Sequence, residues 1–182
     1  MTVYRGFGTP RYQQHDALIR ELVLDFNQHK TVRCGCTAAQ AAAIEYLDPD
    51  LIKAWMIQES GGCDTRSLAA WRVDPVQVNV PGDWSESKTD LGLTQPAARN
   101  EGSIRANLKA GIALLCRKGF GKSGQRPENR PEASFDGWKE ALRRYNGRSD
   151  MRDNGKKYSE NYAETICTRF STPTLATPIE LP

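Results

Sequence analysis

Apolar residues recur at helical spacing in run after run of this chain, and that periodicity limits its fold more than any other feature. Leu18, Ile19, Leu22, Val23 and Phe26 predict an amphipathic helix over Asp16 to His29. Thr37-Ala-Ala-Gln40 has the form of a capping box and opens a second helix through the Ala-rich stretch to Tyr46. Asp48-Pro49 restarts the chain, with Asp suited to the N-cap and Pro to the first helical position. Leu51, Ile52, Trp55 and Met56 then form a buried stripe, and Gly61-Gly62 stops the helix. Ile104, Leu108, Ile112 and Leu115 mark a further helix between Ser103 and Gly119. Phe135, Trp138, Leu142 and Tyr145 mark another, and Tyr158, Tyr162, Ile166 and Phe170 mark the last.

One stretch breaks the rhythm. From Cys63 to Asp90, Pro75, Pro81 and Gly82 interrupt any helix, and Val76, Val78 and Val80 alternate with Gln77 and Asn79 as a short strand would. The expected class is therefore α+β, predominantly α-helical, with one small β-ribbon and loop excursion. At 182 residues and 38% hydrophobic content the chain is long enough for one core, and a single domain over 1–170 is expected. The segment 171–182, with three prolines and little to bury, reads as a mobile tail.

Charge and cysteine content narrow the function classes. Lys and Arg are interspersed with Asp and Glu at a net charge of +3, which suits an anionic polymer but gives no basic run for nucleic acid. No stretch is apolar enough to insert stably in a membrane, and the first residues lack the basic and apolar regions of a secretory signal. Cys34, Cys36, Cys63, Cys116 and Cys167 fit either disulfides or buried thiols, and Cys-x-Cys lacks the paired spacing of a structural zinc site. Neither a metal nor an organic cofactor is expected.

The chemistry concentrates at Glu59. It follows Trp55 by one helical turn and so continues the apolar stripe at the last turn of its helix. There the helix dipole and the apolar neighbours both disfavour its charge, which raises its pKa as a general acid requires. Taken alone, it reads better as a surface Glu on a frayed helix end.

Its context decides between the two. Ile57-Gln58-Glu59-Ser60-Gly61-Gly62 is followed by Gly92-Leu93-Thr94-Gln95, by Asn107-Leu108-Lys109-Ala110-Gly111, and by Ala141-Leu142-Arg143-Arg144-Tyr145-Asn146-Gly147. These four segments, in this order, resemble the motifs of goose-type lysozymes and soluble lytic transglycosylases. The resemblance implies a lysozyme-like domain acting on peptidoglycan glycan strands. Glu59 would protonate the β-1,4 glycosidic oxygen between N-acetylmuramic acid and N-acetylglucosamine. Gln95 and Tyr145 would line the cleft, and Ser60 and Asn146 would help position the sugar or the acid.

A hydrolase needs a second carboxylate to activate water, whereas a transglycosylase uses a hydroxyl of the muramic acid itself. Asp64, Asp74, Asp83, Glu86 and Asp90 are the candidates, with Glu86 and Asp90 preferred because they approach the Gly92 segment. A Cys–His peptidase is disfavoured, since His15 and His29 both precede Cys63 on or beside a surface helix. A noncatalytic wall-binding domain would have no need of Glu59. The resemblance extends to short muramidase effectors of type VI secretion, which are made in the cytoplasm, act in the periplasm of a rival cell and pair with an immunity protein. A phage endolysin is the alternative source.

Overall fold

The computed structural model describes residues 9–170, and the tail expected over 171–182 lies outside them. The described residues form nine α-helices: α1 (Pro10–Gln13), α2 (Asp16–Gln28), α3 (Lys30–Cys34), α4 (Ala38–Ala43), α5 (Pro49–Ser60), α6 (Thr65–Val73), α7 (Ile104–Phe120), α8 (Trp138–Asn146) and α9 (Tyr158–Phe170). Short 3₁₀ turns cover Pro81–Asp83, Glu86–Leu91 and Pro127–Asn129.

Two helices are buried on nearly every side. In α7 the residues Ala110 to Arg117 are all buried, and in α5 so are Leu51 to Ile57. A helix apolar all round belongs inside a protein, and the remaining helices cover these two. Helix α2 touches both α5 and α7, α8 joins α7 to α9, and α9 returns to α5, so the contacts close a cycle around one core. Lys53, fully buried in α5, reaches the Asp16 carboxylate at 2.9 Å and ties α5 to the first turn of α2.

Caps end the helices largely where the sequence predicts. Thr37 and Gln40 make the capping box, Asp48 caps α5 through the Asp50 amide, and Ser103 caps α7 through the Ala106 amide. Helix α4 stops at Ala43 instead of continuing to Tyr46. Lys30 Nζ donates to the Ile44 carbonyl, and the Asn27 amide group brackets the Leu47 backbone. These bonds hold the chain as it leaves the helix, with Ile44 extended and the side chains of Ile44 and Leu47 both buried. Helix α8 starts at Trp138, three residues after Phe135, because Gly137 at φ +94° turns the chain. Phe135 packs from outside the helix onto Phe120 and Trp138.

The excursion differs from expectation. A helix, α6, occupies its first part, nucleated by Asp64, whose carboxylate accepts from both the amide and the hydroxyl of Ser67. No named strand forms among the described residues, and the alternating valines do not make a ribbon. Gln77 adopts φ +53° between Val76 and Val78, so the run folds back and buries both valines. The Asp74 carboxylate accepts the amides of Val78 and Asn79 at 2.9 and 2.8 Å, satisfying backbone groups that a ladder would otherwise have paired.

All five cysteines are thiols in this structure. Cys34 lies within hydrogen-bonding reach of Cys36 and Cys116, and all three are buried between α3 and α7. Cys63 is exposed and Cys167 half-buried.

Candidate active site

Glu59 sits in the last turn of α5, where the helix runs out against the 74–79 loop. Part of the residue stays open to solvent, yet its carboxyl is crowded enough that desolvation dominates its titration. Burial pushes its pKa up to about 7, the Tyr162 hydroxyl pulls it down, and the nearby Asp74 charge adds to the rise. A carboxyl poised there holds a proton in much of the population at neutral pH.

A relay of aromatic groups fixes it. The Trp55 indole donates to the Tyr162 hydroxyl at 2.8 Å, and that hydroxyl donates to Glu59 Oε1. Tyr145 stands edge-on to Trp55 with ring centroids 4.8 Å apart. Both phenols are pushed well above their ordinary pKa, mainly by burial and then by the Glu59 charge, so they remain protonated donors.

The motif residues converge on one loop. Ser60 is buried, and its hydroxyl donates to the carbonyls of Pro75 at 2.7 Å and Met56 at 3.2 Å. The Tyr145 hydroxyl donates to the Val76 carbonyl at 2.8 Å, and Gln77 Nε2 donates to the Glu59 carbonyl at 2.8 Å. Asn107 Nδ2 donates to the carbonyls of Val73 and Glu101, while its Oδ1 accepts from Asn79. A methyl at Gly111 would stand 2.6 Å from Val76 Cγ2, so only glycine lets α7 approach the loop. Ser60 therefore places the helix end that carries Glu59, and its one hydroxyl proton is shared between those two carbonyls.

The other expected residues are dispersed. Tyr145 and Asn146 line a cavity of about 420 Å³ with Lys88, Lys118, Arg144 and Arg148. Glu59 does not itself line this cavity; the connection between them is Tyr145. Gln95 is exposed on the surface segment after the buried Leu93, and its side chain shares no hydrogen bond with Glu59 or Tyr145. Glu86 is exposed in a 3₁₀ turn, and Asp90 faces Arg126 at 3.3 Å and Arg117 at 4.0 Å. Neither is among the charges acting on Glu59. Asp64 caps α6 and Asp83 pairs with Lys88, while Asp74, the one acid whose charge reaches Glu59, has both oxygens committed to backbone amides.

Two contributions are absent from the sequence reading. Tyr162 reads only as a core position of the last helix, although a buried tyrosine hydroxyl requires a partner and that requirement is a usable signal. The N-terminal segment supplies the other. Arg11 donates to the carbonyls of Gly62 at 2.7 Å and Ser60 at 2.8 Å, and the Tyr12 hydroxyl donates to that of Gly61 at 2.7 Å. These bonds satisfy carbonyls that a helix C-terminus leaves unpaired, immediately beyond Glu59.

Among the described residues, no group of three or more His, Cys, Asp and Glu side chains is positioned to hold a metal ion. Comparison of the chain with family models, with curated proteins and with solved structures finds no match.

Proposed function

We propose that this protein cleaves the glycan strands of bacterial peptidoglycan at the β-1,4 bond between N-acetylmuramic acid and N-acetylglucosamine, with Glu59 as general acid. The observation that carries the reading is the desolvated, tyrosine-bound carboxyl of Glu59 with a pKa near 7. It is supported by the convergence of Ser60, Asn107, Gly111 and Tyr145 on the loop that braces it. In this mechanism Glu59 gives its proton to the leaving oxygen as the C1–O bond breaks, and positive charge develops at C1 of the muramic acid.

The fate of that charge admits a second reading, and a specific observation favours it. Asp64, Asp74, Asp83 and Asp90 are each engaged elsewhere, and Glu86 exerts no resolved influence on Glu59. A water-activating base beside Glu59 is thus lacking among the candidates. The muramic acid's own O6 hydroxyl can attack C1 instead and return its proton to the Glu59 carboxylate, leaving a 1,6-anhydro end and a regenerated acid. Mass spectrometry of sacculus digests separates the two: anhydro ends mark transglycosylation, reducing ends hydrolysis. Glu59→Gln should abolish both products while leaving the fold intact, and substantial release of fragments by a folded Glu59→Gln protein would overturn the proposal.

Delivery to the periplasm of a rival cell, with an immunity protein as partner, remains the setting we propose for this activity.

A further inference from the structure

The thiols buried between α3 and α7 take no part in the chemistry at Glu59. Cys34 is the central one, within hydrogen-bonding reach of both Cys36 and Cys116. The register of the two helices fixes its approach to Cys116: Arg117 Nε donates to the Cys34 carbonyl at 3.0 Å, so the residue next to Cys116 holds the end of α3 against α7. Cys36 is engaged differently, its Sγ donating to the Lys30 carbonyl at 3.7 Å. The buried Arg117 guanidinium is faced by Asp90, 4.0 Å from its Nη1, and by Arg126. Its charge favours the Cys34 thiolate, the species that attacks in disulfide exchange, but burial outweighs that influence and keeps the Cys34 thiol protonated in the folded chain.

We propose that Cys34 and Cys116 form a disulfide while the chain folds under oxidising conditions, a covalent staple between α3 and α7 that the thiol form described here lacks. The inference does not depend on the glycan-cleavage reading. The oxidant is a disulfide such as oxidised glutathione: Cys34 and Cys116 together give up two protons and two electrons, the Sγ–Sγ bond forms, and the S–S bond of the oxidant becomes two thiols. A thiol sealed in the core and held protonated is unreactive, so exchange has to precede the packing of α3 on α7. Cys36 is the rival partner for Cys34, but that bridge would span Gly35 alone and constrain the unfolded chain little. Cys34 and Cys116 lie far apart in sequence, and joining them removes much more of its freedom. The staple also reaches toward Glu59, because α7 carries Asn107 and Gly111 against the loop that braces it.

The test refolds the reduced, denatured full chain in a mixture of reduced and oxidised glutathione, blocks remaining thiols with iodoacetamide and maps unreduced peptides by mass spectrometry. A linked pair containing Cys34 and Cys116 should appear, with fragment spectra placing the alkyl label on Cys36 and labels also on Cys63 and Cys167. The oxidised protein should unfold on the order of 10 °C above the same protein treated with dithiothreitol. Cys36→Ala should keep that difference and Cys116→Ala should lose it; peptide mapping of the wild-type chain decides the pairing even where a variant folds poorly. Oxidised glutathione added to protein already folded in the reduced state should leave Cys34 and Cys116 unlinked over the time in which the refolding chain completes the bridge. Five alkylated cysteines after oxidative refolding, a Cys34–Cys36 bridge, or a Cys34–Cys116 bridge without a rise in the unfolding temperature overturns the staple. Linkage as fast from the folded state as from the unfolded one overturns its formation during folding. None of these readouts involves glycan cleavage, so their failure leaves the role of Glu59 untouched.

Discussion

Two opposed influences meet on the Glu59 carboxyl: burial, with some help from Asp74, favours the protonated form, and the Tyr162 hydroxyl favours the charged one. Removing that hydroxyl with Tyr162→Phe takes away the opposing influence, so the pKa should rise beyond its value of about 7. The alkaline limb of the activity profile should then move to higher pH, by up to about one unit, as the loss of one hydrogen bond to a carboxylate allows. A limb that stays in place, or moves to lower pH, would count against Glu59 as the acid. The same environment affects stability. A carboxyl whose folded pKa is raised from 4.5 to about 7 is protonated in both states at low pH and carries no penalty there. As pH rises from 4.5 the unfolded chain ionises first, and above about 7 the folded state has lost stability on the order of 3 kcal/mol. Glu59→Gln should therefore be more stable than the wild-type protein at pH 8 and nearly equal to it at pH 4.5. Parallel denaturant melts at the two pH values would test this, and a constant difference would contradict it.

At the scale of elements, the contact between α7 and the 74–79 loop is the most exacting. Gly111→Ala would press a methyl against Val76, whose carbonyl holds the Tyr145 hydroxyl, so stability should fall by about 1–3 kcal/mol together with activity. Gly82→Ala, where nothing stands within 4 Å, is the control and should leave thermal unfolding unchanged. Loss of stability at both positions would point to backbone freedom, not close approach, as the cause. This contact also shows how far the sequence could be read. The helices around α2, α5, α7 and α9 were legible because burial along an amphipathic or core helix repeats with the helical period. The excursion was not, because the alternation of Val76, Val78 and Val80 has the period of a strand, while one left-handed residue, Gln77, and the carboxylate of Asp74 fold the run back on itself. Helix α6 was hidden by its short span and by the prolines downstream. Within the site, Glu59 was legible from its place in the apolar stripe. Arg11 and Tyr12 were not, since they act through backbone carbonyls distant in sequence and leave no periodic trace, and Asp74, named as a candidate base, instead holds the amides of the loop that follows it.

Over the whole molecule, the site draws on nearly the full described length: Arg11 and Tyr12 from the start, Glu59 from α5, Asp74 from the loop, Asn107 from α7, Tyr145 from α8 and Tyr162 from α9. Helix α9 closes the cycle by returning to α5, so the acid gains its hydrogen-bond donor only when the fold is complete. An enzyme with the proposed activity would be harmless where its polymer is absent and destructive where it is present. Directing the chain to the periplasm with a secretion signal should lyse a Gram-negative host, and directing Glu59→Gln there at equal abundance should not, as read by culture density and immunoblot. Glu59→Gln removes one carboxyl and leaves the net positive charge and the exposed surface almost unaltered, so damage caused by cationic adsorption would persist in it. Lysis by both proteins would mean that the target is the membrane. Lysis that depends on Glu59 alone would trace the effect to a single half-buried proton donor at the end of α5.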